Sequence, residues 1–353
     1  MAPTKKPKAA QDKAAPIKKK RISIALQGGG SHGAYTWGVL DAILEDGRIE
    51  IEGISGTSAG GLNAAAAIQG LIKGGNDKAR ETLKNLWIKI AELGAQSPLR
   101  LTNYEREQKR FNLSDNPMFR WMQFMGSMFS PYQVHISDKN PLSPLVEELF
   151  DFKTLKRSTK HKLFLCATQI STGKLKIFQG QELSAKAVLA SACVPSLFQA
   201  VEIDGEHYWD GGFIGNPAIY PIIYSCESPD ILIIQIRRVH DSTVPKTMHE
   251  IQNRLGEITQ NSCLTREMRM ISFLTKLIDD GVVEKDKLKR LYMHMIRDDE
   301  FFTSIDRASA FCTDPTFIKH LHDAGYQAGK KWLKKNYNKI GVETTAEMEK
   351  DFV

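Results

Sequence analysis

An α/β layered fold with a mainly parallel sheet is the fold class this sequence predicts, on three observations. Short β-branched runs alternate with helical patterns through residues 21–93, the signature of strand–helix layering. Two glycine clusters, Gly28–Gly33 and Gly56–Gly61, each fall between a strand-like and a helix-like stretch. Asp230–Arg237 reads D-I-L-I-I-Q-I-R, the continuous apolar run of a central buried strand.

Taken in order, Arg21–Gln27 alternates and is rich in Ile and Leu, so it reads as a strand. A helix is expected over Ala34–Glu45, a second strand over Ile49–Ser55, and helices over Leu62–Leu71 and Lys78–Leu93. Residues 97–140 break the pattern with Pro98, Pro117 and Pro131, and Pro141 closes the stretch; they read as an irregular insertion. Lys162–Gln169 and Lys174–Gln179 form a strand pair with Thr172-Gly173 at the turn, and Ser184 caps a helix that ends before Pro195. Beyond the central strand, 247–280 reads as a long helix, Tyr292–Ile296 as a short strand and Thr316–Lys335 as a basic final helix. The expected organisation is a disordered basic tail (1–20), a catalytic domain (21–240), a C-terminal helical extension packed on it (241–336) and a tail (337–353).

The 353 residues are 42% apolar and 25% charged, enough apolar content to bury a sizeable core. No run of about 18 uncharged apolar residues occurs, which excludes a transmembrane helix. The formal charge is +7. Eight basic residues and one acid within residues 1–21 account for all of it, so the remainder sums to zero. The basic pI belongs to a Lys-, Ala- and Pro-rich segment without apolar periodicity, which cannot repay its ordering entropy. It reads either as a solvated tail or as a peripheral contact with an anionic membrane or granule surface, where each Lys or Arg is worth roughly 1 kcal/mol. No specific nucleic-acid partner is expected. Five cysteines, odd in number and without C-x-x-C pairing, fit reduced thiols in the cytoplasm and give no disulfide framework or zinc site.

Gly28, Gly30 and Gly33 spell the dinucleotide-binding fingerprint, but the acid that would hold a ribose at the end of the second strand is missing. That strand's end carries Gly56-Thr57-Ser58-Ala59-Gly60, a G-x-S-x-G turn between strand and helix. Such a turn holds the serine on a strained bend with its hydroxyl projecting from the sheet, and small residues two before and two after avoid the neighbouring elements. The following helix aims its N-terminal dipole at the hydroxyl. If the first two strands end side by side, the glycine loop lies beside the serine, where its N–H groups suit an oxyanion. A serine nucleophile needs a base. None of the nine histidines stands out; His320 and His322, two apart on a helix, face different ways. The other candidate is Asp210, in Y-W-D-G-G-F; its ordinary pKa near 3.9 suits a base poorly unless burial raises it, and Asp-Gly is equally good β-turn chemistry.

These motifs resemble the patatin-like phospholipase family. G-G-G-x-x-G at Gly28–Gly33, Gly-Val-Leu at Gly38–Leu40, G-T-S-A-G at Gly56–Gly60, A-S-x-x-V-P at Ala190–Pro195 and D-G-G at Asp210–Gly212 occur in family order across roughly residues 21–240. The segment after 240 resembles the C-terminal extension of a bacterial cytoplasmic branch. The resemblance implies a three-layer α/β/α fold with a helical insertion or lid, Ser58 as nucleophile, Asp210 as its base, and oxyanion donors from Gly28, Gly29 and Gly30. His32, Gly33, Gly56, Gly60, Gly211 and Gly212 support them. It implies hydrolysis of lipid acyl esters through an acyl-enzyme, with no cofactor or metal. One departure is His32, where many members carry Arg or Lys, a cation able to support the oxyanion loop or contact a phosphate.

Met118–Phe129 has eight apolar residues in twelve. As a helix it places Arg120, Gln123 and Ser127 in one polar stripe and Met118, Trp121, Met122 and Met125 opposite. That face reads as core, or as a lid lining an acyl pocket with adaptable methionines. Three functions fit the sequence: a serine hydrolase of lipid esters; a non-lipid esterase, thioesterase or storage-polyester hydrolase on the same scaffold; and a catalytically silent lipid- or nucleotide-binding module.

Overall fold

The structure is a computed structural model that describes residues 19–353 except 96, 98, 100, 115, 135–139, 242 and 285–286, and leaves the side chain of 249 undescribed. The basic tail up to residue 18, Pro98 and His135 therefore lie outside the described residues. The strands are β1 (Lys20–Leu26), β2 (Ile49–Thr57), β3 (Lys162–Gln169), β4 (Leu175–Phe178), β5 (Val201–Ile203), β6 (Glu206–Asp210), β7 (Asp230–Ile234) and β8 (Tyr292–Ile296). They form one sheet in the order β5-β6-β3-β2-β1-β7-β8, with β4 paired to β3. β3, β2, β1, β7 and β8 run parallel; β4, β5 and β6 add an antiparallel margin.

Strand alternation builds a core on each face of the sheet. Ile22, Ile24 and Leu26 of β1, with Leu232 and Ile234 of β7, point into one core. The helices there are α1 (Gly33–Asp46) and α2 (Ala59–Gly94), the latter broken at Gly74 and Gly75, where the backbone leaves the helical region. Ala25, Ile231 and Ile233 point to the opposite core. Three layers result.

Between α2 and β3 lie α3 (Asn103–Glu107), α4 (Pro117–Met128), α5 (Ser143–Leu149) and α6 (Phe152–Arg157). The insertion is thus less irregular than its prolines suggest. Pro117 opens α4 rather than breaking it, because the first helical position needs no N–H donor, and Asn116 caps the turn. Ser184 caps α7 (Ala185–Ser191), and α8 (Tyr220–Ser225) follows β6. The long α9 (Met248–Asp279) contributes Leu264, Met268 and Ile271 to the second core.

The C-terminal third is more than a helical extension. β8 widens the sheet, α10 (Asp299–Ser304) follows it, and α11 (Pro315–Asn336) packs on α1. That crossing is close: a Cβ on Gly38 would lie 2.0 Å from the His322 carbonyl oxygen, and one on Gly325 2.0 Å from that of Tyr35. Residues 337–353, expected as a tail, are folded onto the body. Thr345 and Ala346 donate backbone bonds to Met293 of β8, and α12 (Met348–Phe352) buries Phe352 in the second core. At the other boundary Lys20 belongs to the fold rather than to the tail; its Nζ donates to the carbonyls of Asn338 and Ile340. No helix among the described residues is long and apolar enough to cross a membrane.

Candidate active site

β1 and β2 are parallel neighbours with Leu26 opposite Gly56, so the loops that follow them leave the sheet side by side. Ser58 joins β2 to α2 at φ 56° and ψ −125°, a conformation costing a side-chain-bearing residue about 1–3 kcal/mol. Its N–H holds that bend by donating to the carbonyl (3.1 Å) and the hydroxyl (3.0 Å) of Ser191 at the end of α7. The flanking glycines are sterically required. A Cβ on Gly60 would sit 2.4 Å from the Leu26 carbonyl oxygen, and one on Gly56 2.4 Å from that of Gly60. Gly33 lets α1 approach Ala59 closely (2.8 Å to an added Cβ).

Asp210 reaches the same edge across two strand pairings. Thr57 of β2 lies opposite Cys166 of β3, and Ala167, the next residue, lies opposite Asp210 of β6. The chain then turns back: Gly211 passes so near β3 that a Cβ would be 2.3 Å from the Cys166 carbonyl oxygen. Gly212 donates its N–H to Asp210 Oδ1 (2.7 Å). The carboxylate is buried, with the Ser58 hydroxyl near enough to favour its charged form. Burial pushes its pKa up to about 6, against the opposing pull of Ser58, the Gly212 N–H and the Arg237 charge. Ser58 and Asp210 are thus brought together.

The glycine loop departs from expectation in one donor. Gly28 packs against Ser58, with an added Cβ 2.8 Å from the serine Cβ, but its N–H is taken by Asn216 Oδ1 (2.6 Å). Among the described residues, no side chain or loop carbonyl takes the N–H of Gly29 or Gly30. Gly30, at φ +60°, lies where an added Cβ would be 2.3 Å from the Ala310 carbonyl oxygen, so the loop's shape depends on the C-terminal third. His32 is buried and bonded to Ser309 (2.8 Å). Burial first, then the charges of Arg237 and Arg307, lower its pKa to about 3, so it anchors the loop as a neutral ring.

A cleft of about 630 Å³ opens over this edge of the sheet, with Gly28–Gly30, Ser58 and Asp210 on its surface. Leu62, Trp87, Ile90, Leu142, Val194 and Phe198 supply apolar wall; Arg237, Arg307, Asn216, Gln252 and Gln260 supply polar wall. No described histidine side chain lines it. From α4 the cleft receives Phe119 and Gln123, not the expected Met118, Trp121, Met122 and Met125. Met118, Trp121 and Met122 are exposed and Met125 is half-buried, because the helix is held by the single buried ring of Phe119 against Phe311. With Phe124, Met128, Leu197 and Phe213 they leave exposed apolar surface on α4 and on loops that line the cleft.

Ser191, Asn216, Arg237 and Arg307 escaped sequence reasoning as site residues. The A-S-x-x-V-P run flags Ser191; the others carry no local signal, since each acts on a loop distant in sequence. Among the described residues no group of His, Cys, Asp or Glu is arranged to hold a metal ion.

A serine on a bent strand-to-helix turn is the nucleophile geometry of α/β hydrolases. A family model described as patatin-like phospholipase matches residues 24–223, more than half of the chain, and the chain belongs to that family. That membership supports lipid-hydrolase activity in general terms. Among solved structures, VipD from Legionella pneumophila is similar at 15% identity and a TM-score of 0.34, over 88% of this chain and 68% of that one. Two structures of ExoU with SpcU, from the type III secretion system of Pseudomonas aeruginosa, are similar at 15% and 16% identity with TM-scores of 0.34 and 0.38. They match over 90% and 91% of this chain, which covers 53% and 52% of theirs, about half their length. No curated protein sequence matches the chain.

Proposed function

We propose that the chain is a serine hydrolase of lipid carboxyl esters that works through Ser58 and Asp210. The observation that carries this reading is a serine on a strained strand-to-helix turn set beside a buried carboxyl, whose pKa burial pushes up to about 6. Ionised at neutral pH and shielded from water, Asp210 accepts the Ser58 proton as the serine oxygen attacks the ester carbonyl. The negative carbonyl oxygen is held by the free N–H groups of Gly29 and Gly30, aided by the amino end of α2. Asp210 returns the proton to the departing alcohol, leaving an acyl-Ser58 ester. Water then gives a proton to Asp210 and attacks the acyl carbon, and the proton passes back to Ser58 as the acid leaves.

The amphipathic cleft and the exposed apolar residues of α4 favour a lipid ester over a small soluble one. They also favour action at a lipid surface. The test is hydrolysis of p-nitrophenyl butyrate by Ser58→Ala. Activity is expected to fall by about 10³-fold or more with the circular dichroism spectrum intact. Turnover at the wild-type rate in a folded variant would refute the reading.

A further inference from the structure

The cleft holds two cations that carry no bond-making or proton-transfer step in the ester chemistry above. Arg237 follows β7 and Arg307 lies in the loop after α10, and both line the cleft with Ser58 and Asp210. They meet at the junction where the chain goes to β2 on one side of β1 and to β7 on the other, the place where open α/β sheets bind ligands.

Neither guanidinium forms an ion pair among the described residues. Glu257, the carboxylate that acts on both, is occupied by Arg238 and Arg254. Asp306 accepts from Ser114, and Asp210 accepts from Gly212. Arg237 Nε is buried with no hydrogen-bond partner among the described residues, while the backbone N–H of the same residue is fixed by Gln27 Oε1 (3.0 Å). Arg307 is held by one edge: Nη1 donates to the carbonyls of Asn253 (2.9 Å) and Gln252 (3.4 Å). Room for it is made by Gly256 within α9, where an added Cβ would strike the guanidinium at 1.8 Å. An unpaired guanidinium beside a like charge destabilises a folded protein, so its retention in a cleft calls for an anion that arrives with the ligand. His32, beside the glycine loop, is neutral and cannot supply that charge.

We infer that Arg237 and Arg307 form a subsite for the phosphoryl group on the alcohol portion of the ester. Two forked donors match the several oxygens and the charge of a phosphoryl group. The assignment rests on the ester-hydrolase reading of the same cleft, and its test does not require turnover. Binding to Ser58→Ala is measured by calorimetry with lysophosphatidic acid, with the monoacylglycerol of the same chain, and with inorganic phosphate. Lysophosphatidic acid is expected to bind about 10- to 100-fold more tightly than the monoacylglycerol, and inorganic phosphate only weakly. Adding Arg237→Gln or Arg307→Gln should collapse that preference, and Arg307→Lys should restore part of it. Equal affinity for the two lipids, or a preference that survives both Gln variants, overturns the subsite. So does inorganic phosphate binding as tightly as the phospholipid, which would make the site one for the free ion. If Arg307→Gln gives no cooperative melt, Arg237→Gln decides, since its Nε bonds nothing among the described residues. Separately, wild-type protein that shows the preference yet cleaves no ester would refute the hydrolase reading and leave the subsite standing.

Discussion

At the scale of single residues, the proposed chemistry turns on the balance at Asp210. Desolvation raises the carboxyl to about 6, and the Ser58 hydroxyl, the Gly212 N–H and Arg237 keep it from rising further. A base acts only when ionised, so kcat/KM for p-nitrophenyl butyrate should be flat above pH 7 and fall below pH 6, about tenfold per unit. A profile flat from pH 5 to 8 would remove Asp210 from the mechanism. The same shift has a cost in stability. Because the folded pKa lies above the unfolded value near 3.9, the native state holds the proton more tightly, and that advantage is lost as pH rises from about 4 through 6. Asp210→Asn keeps the oxygen that accepts from Gly212 and carries no charge. It should be more stable than wild type at pH 8 by on the order of 3 kcal/mol in urea denaturation, and no more stable below pH 4. Equal stability at pH 8 would mean that the carboxylate is better solvated than its burial implies.

At the scale of elements, the site is built from close approaches that only glycine permits. Gly60→Ala drives a Cβ into the Leu26 carbonyl oxygen, so the ends of β1 and β2 must part or the Ser58 turn must open. A loss of about 2–4 kcal/mol with loss of esterase activity is expected. Gly126→Ala is the control, an open position in α4 where the added methyl meets nothing within 4 Å and should stabilise by about 0.5–1 kcal/mol. Equal effects at the two positions would contradict the packing argument. The strand–turn–helix units to residue 93 were legible because periodicity and glycine placement agree there. The inward face of α4 was not, since eight apolar residues in twelve leave the choice to tertiary partners, and the partner of Phe119 is the remote Phe311. Gly28 likewise looked like a free donor until Asn216, far along the chain, took its N–H.

At the scale of the whole molecule, the family match ends at residue 223, yet the site is completed from beyond it. β7 and β8 finish the parallel sheet, α11 clamps α1, Ala310 and Ser309 brace the glycine loop, and Arg237 and Arg307 charge the cleft. The final seventeen residues were misread as a tail because their order rests on backbone bonds to the β8 edge and on isolated buried side chains such as Ile340 and Phe352, which make no hydrophobic period. Ser58 and Asp210 were legible only through their motifs; the register of β2, β3 and β6 is what joins them. The central claim is that these two residues form one reactive unit, and peptide mapping after brief exposure to a fluorophosphonate tests it most directly. The adduct should lie on Ser58 alone, form at least about 100-fold more slowly in Asp210→Asn, and be absent from Ser58→Ala. An adduct on another residue, or equal labelling of wild type and Asp210→Asn, would contradict it.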